Sequence, residues 1–192
     1  MSRRSPIPAR RGPLQFGRLI PAVLAVGFVA GGCGIAASTQ PVTFPPASAG
    51  PAGNVSSAVV QTRAAISAAL AASSIQLQDA TKAYRTAEPP GLADAPRAVY
   101  QAILPDDPDG GFIVVYEFRD AATAVNAGNE LAGYLGTGVG RIQYPNDSRY
   151  AIRQLGTTLI FYTWAPSTSP DPASPTVADA LATLGIGFAP PR

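Results

Sequence analysis

The sequence predicts an α+β domain in which an antiparallel sheet carries helices on one face. Two segments have strong strand character, residues 112–118 and 158–164, and each follows a weaker strand across a turn. Each is also followed by residues whose apolar side chains recur at helical spacing. Hairpins that alternate with helices favour an antiparallel sheet with helices packed against it.

The domain begins with a predicted N-terminal helix over residues 55–72. Asn54 stands immediately before it and is a favoured N-cap residue. The next segment, residues 73–96, alternates apolar and polar residues around Ile75 and Leu77 and then contains a Pro-Pro-Gly breaker. We expect a short strand here, or an extended segment that wraps the domain.

The first hairpin is predicted to pair residues 98–104 with residues 112–118. The intervening residues 105–111, PDDPDGG, have the composition of a turn. Asp120 can then cap a helix over residues 121–136, which the following glycines end.

A second hairpin is predicted to pair residues 149–155 with residues 158–164 across a Gly-Thr turn. Ser174 followed by Pro175 is typical of a helix start, and that helix is expected to end at Gly185.

The strand-strand-helix order therefore occurs twice in the domain. Arg97 aligns with Arg149, and Val125 aligns with Val177, each pair 52 positions apart. This regularity predicts two β-β-α units within the sheet. The alternative, that a common motif occurs twice by chance, remains open.

A leader of a different character precedes the domain. Five of the 14 basic residues lie within residues 1–18, which contain no acidic residue, and an apolar run of twelve residues follows at residues 19–30. A charged, then apolar, then small-residue succession is typical of a secretory signal peptide. The apolar run is shorter than the ~20 residues that a membrane-spanning helix requires.

The end of this leader, Ala30-Gly31-Gly32-Cys33, resembles the lipobox of bacterial lipoproteins. The resemblance covers the leader alone. It implies cleavage before Cys33 and a diacylglyceryl group on its thiol, which would anchor the protein to the cell membrane or outer membrane, outside the cytoplasm. Two alternatives remain: an ordinary signal peptide cut near Ala36 or Ala37, and an uncleaved anchor.

Other roles for the only cysteine of the chain have little support. A single cysteine cannot form an internal disulfide. The chain contains no histidine, so a catalytic thiolate would lack its usual activating partner and a metal site would lack its commonest ligand.

We therefore divide the chain into a signal peptide (residues 1–32), a lipid-anchored flexible linker (residues 33–54) and a single α+β domain (residues 55–192). Residues 38–54 carry no charge and are rich in Pro, Ala, Gly and Ser, a composition that does not support a packed core. Its prolines favour an extended spacer of up to ~3 Å per residue.

The charge distribution argues against a nucleic-acid partner. The formal net charge is +2, but from Cys33 onward nine basic residues stand against all 12 acidic ones, which gives −3. Nucleic-acid binding requires clustered basic residues on the domain itself.

The absence of histidine excludes Ser-His-Asp and Cys-His nucleophilic sites and histidine-based metal sites within this chain. Asp106, Asp107 and Asp109 are weak candidates for a cation site. Pro108 and Gly110 occupy the third and fifth positions of the calcium loop that would begin at Asp106, so an acidic hairpin turn is the favoured interpretation. We expect no cofactor.

The remaining candidates are two aromatic residues, Tyr162 and Trp164. In a strand they point away from Phe161, so helices on one face of the sheet cannot cover both groups. Either the linker, the first helix or the wrap over residues 73–96 covers Tyr162 and Trp164, with the first helix favoured, or the two residues form a ligand-binding surface.

Together these patterns favour an exported, lipid-anchored envelope protein whose domain binds or scaffolds without catalysing a reaction. The alternative is a small extracytoplasmic enzyme that uses carboxylates or a bound cation. The expected partners are the membrane, through the lipid, and an envelope protein or ligand of unknown identity.

Overall fold

A computed structural model describes residues 55–191, which form a six-stranded antiparallel sheet with helices packed against it. The strands are β1 (Leu77–Asp79), β2 (Arg97–Ala102), β3 (Phe112–Glu117), β4 (Arg149–Leu155), β5 (Thr158–Trp164) and β6 (Ile186–Phe188). The helices are α1 (Ser57–Ala71), α2 (Pro90–Ala93), α3 (Ala121–Gly136), α4 (Gly138–Arg141) and α5 (Ser174–Ala182). The sheet order is β1-β2-β3-β5-β4-β6, so the predicted α+β class and antiparallel sheet are confirmed.

Both faces of the sheet are buried, which corrects the expectation of helices on one face. On the first face, Ile113 and Ile160 pack with α1 and α5; on the second, Val114 and Phe161 pack with α2 and α3. We call these the α1/α5 face and the α3 face. The central strands β3 and β5 are apolar at nearly every position because neither of their faces is exposed to water.

The direction of the two crossover connections explains this arrangement. The chain passes from β3 through α3 to β4 across β5, and then from β5 through α5 to β6 across β4. Both crossovers move the same way across the sheet, but β3 and β5 run in opposite directions. Because such crossovers share one hand, the two helices must lie on opposite faces.

The two predicted β-β-α units do follow one another along the chain, but positions 52 residues apart are not structurally equivalent. Ala98 packs on the α1/α5 face, whereas Tyr150 packs on the α3 face. Val125 is half-buried on α3, whereas Val177 is fully buried on α5.

Most predicted elements are present with small shifts in their ends. Helix α3 has the predicted bounds, and the Asp120 carboxylate accepts the Thr123 N–H at 2.7 Å as its N-cap. Helix α1 instead uses Ser56 as its cap, through a 3.3 Å hydrogen bond from Val59 N–H. Asn54, the predicted cap, lies outside the described residues. Ser174 is the first residue within α5 and not its cap.

Strand β6 was not predicted, because it has three residues and a glycine at its centre. It is held in place by the C-terminal segment, which lies along small residues of α3. A Cβ atom at Gly128 would come within 2.5 Å of the Phe188 ring, and one at Gly136 within 2.4 Å of Pro191. Glycine at these two positions therefore makes room for the segment.

Residues 80–96 form the predicted wrap and cover the α3 face beside that helix. Tyr84 stacks on Phe112 with ring centroids 4.3 Å apart, and Leu92 is fully buried in the core of this face. The wrap therefore covers the face opposite Tyr162.

The leader, Cys33 and the linker lie outside residues 55–191. Within those residues, no helix is both long enough and apolar enough to span a bilayer.

Helix α1 contributes to the core of the domain, and a single substitution tests this. Ile66 is fully buried, so we expect Ile66→Ala to lower the free energy of unfolding by about 2–5 kcal/mol. Val60 lies on the same helix and is 53% exposed, so Val60→Ala should change it by less than about 0.5 kcal/mol. Denaturant titration of both variants measures the two changes in the free energy of unfolding. Equal changes would contradict the packing of α1 in the core.

Candidate functional site

Three of the longer loops lie at the same end of the sheet, which we call the loop end. They are loop 103–111 before β3, loop 137–148 before β4 and loop 165–173 after β5. In an antiparallel sheet, the starts of β3 and β4 and the end of their common neighbour β5 lie together. The topology therefore assembles one surface from three distant parts of the sequence.

Loop 165–173 is the centre of this surface because β5 lies between β3 and β4. On one side, the Asp147 carboxylate accepts the N–H and the hydroxyl of Ser167, both at 2.7 Å. These hydrogen bonds hold the pKa of Asp147 below its usual range. They also tie loop 137–148 to loop 165–173.

On the other side, Asp171 joins loop 165–173 to loop 103–111. It is one of the few buried carboxylates in the described chain, and both of its oxygens are used: Asp106 N–H and Ala173 N–H donate to them at 2.7 Å each. Its backbone carbonyl also accepts the Ser174 N–H, at 3.1 Å. Asp171 thus braces the start of α5 and the hairpin loop together.

Asp171 is not among the residues predicted from the sequence. The available signal was an aspartate three residues before the helix start Ser174-Pro175, a position at which aspartate commonly binds nearby backbone N–H groups.

The three acidic candidates for a cation site point to different partners. The backbone of Asp106 binds Asp171, the Asp107 carboxylate accepts the Ser169 hydroxyl, and Asp109 pairs with Lys82 at the surface. Across residues 55–191, no group of three or more His, Cys, Asp or Glu side chains is placed to hold a metal ion. The acidic loop is therefore part of the bracing of the loop end.

A short chain of hydroxyl groups continues from Asp107. Ser169 binds the Asp107 carboxylate, and its hydroxyl lies 3.3 Å from that of Ser174, which is fully buried. A carboxylate beside a serine lacks the imidazole that usually activates a serine nucleophile. The arrangement joins loop 103–111 to loop 165–173 and to the start of α5.

Of the two aromatic candidates, one is in the core and one reaches the surface. Tyr162 is buried between the sheet and the helices α1 and α5, and its hydroxyl donates to the Ser174 carbonyl at 3.3 Å. Trp164 stacks on Tyr162, with ring centroids 5.4 Å apart, and is half-buried at the end of β5 opposite Arg149. The expected cover by the first helix is present and is shared with α5.

Three apolar side chains at the loop end are exposed to solvent. Ile103 follows β2, and Val139 and Ile142 lie in and just after α4; Ile142 is 78% exposed. These three residues are not among those predicted from the sequence, because an exposed apolar residue has the same local pattern as a buried one. Together with the half-buried Trp164, these side chains give the loop end an apolar component.

No protein-family model matches this chain, and neither the curated proteins nor the solved structures contain a significant match. The candidate surface therefore stands on its geometry alone.

Burial of Tyr162 predicts a loss of stability at alkaline pH. Burial raises the pKa of Tyr162 to about 12 from an ordinary 10.0. Between these values Tyr162 ionises in the unfolded chain but not in the folded one. Its contribution to the free energy of unfolding is therefore fully present below pH 10 and is lost as pH rises toward 12.

We expect Tyr162→Phe to flatten this part of the profile of Tm against pH, and to lower stability at neutral pH by about 1 kcal/mol through the lost hydrogen bond. Trp164→Phe is the control, because it changes the stacked neighbour without removing an ionisable group. Parallel alkaline profiles of Tm for the native chain and Tyr162→Phe would contradict the attribution of this loss of stability to Tyr162.

Proposed function

We propose that this protein is an exported, lipid-anchored binding domain. Its anchor is the acylated Cys33, which attaches it to the cell membrane or outer membrane on the side away from the cytoplasm. Its loop end contacts an envelope protein or another ligand, and the domain acts without catalysing a reaction.

The observation that carries this proposal is the position at which the chain enters the domain. Helix α1 starts at the end of the sheet opposite the loop end, where the Thr62 hydroxyl lies 2.8 Å from that of Thr158, the first residue of β5. A tether over residues 33–54 joins the domain beside the start of α1, and so it leaves the loop end accessible to a partner.

The chemistry of the loop end supports a macromolecular partner. Exposed aliphatic side chains and a half-buried tryptophan, placed on loops held by a rigid sheet, are typical of protein interaction sites. The domain is acidic from Cys33 onward, which supports a partner other than nucleic acid.

The enzymatic alternative has less support from the same surface. A hydrolase that uses two carboxylates needs them on either side of one cleft. Here Asp107, Asp147 and Asp171 are each engaged with backbone or hydroxyl donors of neighbouring loops.

The first test concerns the anchor. We expect the mature protein to partition into detergent and its intact mass to correspond to a chain that begins at a lipid-modified Cys33. Cys33→Ser should leave uncleaved or soluble protein with an unchanged Tm, because the substitution lies outside the folded domain. A native N-terminus near Ala37 without added mass would contradict the anchor.

The second test concerns the orientation. A photo-reactive residue at position 142, on the loop end, should cross-link to one defined partner in intact cells. The matched control is position 186, where Ile186 is 58% exposed at the opposite end of the sheet. The same cross-linked partner from both positions, or none from position 142, would contradict binding through the loop end.

A further inference from the structure

The wrap contains a buried carboxylate, Glu88, that is held by three side chains. The Tyr116 hydroxyl donates to it at 2.6 Å, and Arg97 Nη1 lies 2.6 and 2.8 Å from its two oxygens. Arg85 Nε donates to it at 3.2 Å. The side chain of Glu88 is only 3% exposed and that of Arg97 is 16% exposed, so this ion pair is largely desolvated.

The groups that receive the carboxylate are fixed by regular structure. Arg97 and Tyr116 are directly opposite each other in β2 and β3. The Arg97 guanidinium also donates to the Ala93 carbonyl and lies 5.5 Å from the centroid of the Tyr116 ring. Burial, together with the hydrogen bond to Glu88, holds the pKa of Tyr116 far above its usual range, so the phenol remains a donor.

The segment that carries Glu88 is held by side-chain contacts and not by regular structure. Residues 81–88, which we call the strap, make no backbone–backbone hydrogen bond with any described residue. Side chains hold the strap in place: Tyr84 stacks on Phe112, and the Tyr144 hydroxyl bonds to Thr86 and to the Ala87 carbonyl. A segment of this kind opens locally at a lower cost than the strands beneath it.

The charges of the cluster are unequal. Two guanidinium groups contact one carboxylate: Arg97, whose side chain is 16% exposed, and Arg85, whose side chain is 32% exposed and stays partly solvated. Burying the Glu88–Arg97 pair is costly unless its two charges remain paired. An arginine and a phenol held at fixed positions match the geometry of a carboxylate, for which arginine is the preferred protein partner. The site is thus preorganised, and its occupant is on a segment that makes no backbone–backbone hydrogen bond.

We propose that Arg97 and Tyr116 form a binding site for a carboxylate ligand, and that Glu88 fills this site when the strap is closed. When the strap opens, the carboxylate of a small organic acid or of a peptide C-terminus takes the place of Glu88. This site is separate from the loop end, and its test does not depend on the acylation of Cys33.

The first experiment measures strap opening by trypsin cleavage after Lys82, which does not contact Glu88, with the products identified by mass. Glu88→Gln keeps the shape of the side chain and removes its charge, so cleavage in the strap should be about tenfold faster. Glu117→Gln is the matched control, because Glu117 follows Tyr116 on β3 and points to the other face. Equal rates of strap cleavage in the two variants would overturn the proposal that Glu88 holds the strap closed.

The second experiment tests ligand binding with Glu88→Ala and acetate, with chloride at equal ionic strength as the control. Acetate should raise the Tm of Glu88→Ala in a saturable manner and leave the native chain unchanged. The double variant Glu88→Ala/Arg97→Met should not respond. No response of Glu88→Ala, or the same response in the native chain, would overturn the carboxylate site.

Two further ligands distinguish the source of the carboxylate. A larger response to hexanoate than to acetate indicates a small organic acid. A larger response to trialanine, lost when its C-terminus is amidated, indicates a peptide terminus.

If Glu88→Ala does not fold, the carboxylate site can be tested in the native chain by strap cleavage. Acetate should then accelerate cleavage in the strap relative to chloride, because it competes with Glu88 for Arg97. Unchanged cleavage would overturn the proposal.

Discussion

The structure depends on the burial of both faces of the two central strands. β3 and β5 present apolar side chains alternately to the two sides, with Val115 and Ile160 on one and Val114 and Phe161 on the other. Neither side can be left to water without losing roughly 25 cal/mol for each Å² of apolar surface exposed. One layer of helices can cover only one of these two faces. The N-terminal helix α1 and the wrap are therefore parts of the fold, because each covers apolar surface that the two crossover helices leave open.

The position of β5 between β3 and β4 has a consequence for function. It puts loop 165–173 beside two loops that are far from it in sequence, and aspartates on all three loops connect them through short hydrogen bonds. The loop end is consequently one braced surface and not a set of independent loops. Such bracing lowers the entropy that must be lost when a partner binds, which favours a binding role.

Asp171 and Glu88, two buried carboxylates among the described residues, differ in how they are satisfied. Asp171 receives backbone N–H groups from its own loop and from loop 103–111, so its partners form part of the chain path. Glu88 receives only side chains, two of which stand on the sheet while it stands on the strap. A carboxylate bound by backbone donors is a structural brace. One bound by an arginine and a tyrosine can be exchanged for another carboxylate.

The sequence by itself determined the local elements: the strands β3, β4 and β5, the helix α3 with its Asp120 cap, and the apolar leader before Cys33. These depend on periodicity, capping and composition, which act over a few residues. Only the tertiary structure decided that the helices cover both faces, that Tyr162 is buried while Trp164 reaches the surface, and that Glu88 meets Arg97 and Tyr116. The short strand β6 likewise exists only because the sheet edge and α3 hold it. The physical reason is that the order of strands in the sheet determines which face each crossover covers, and that order depends on contacts between residues far apart in the chain.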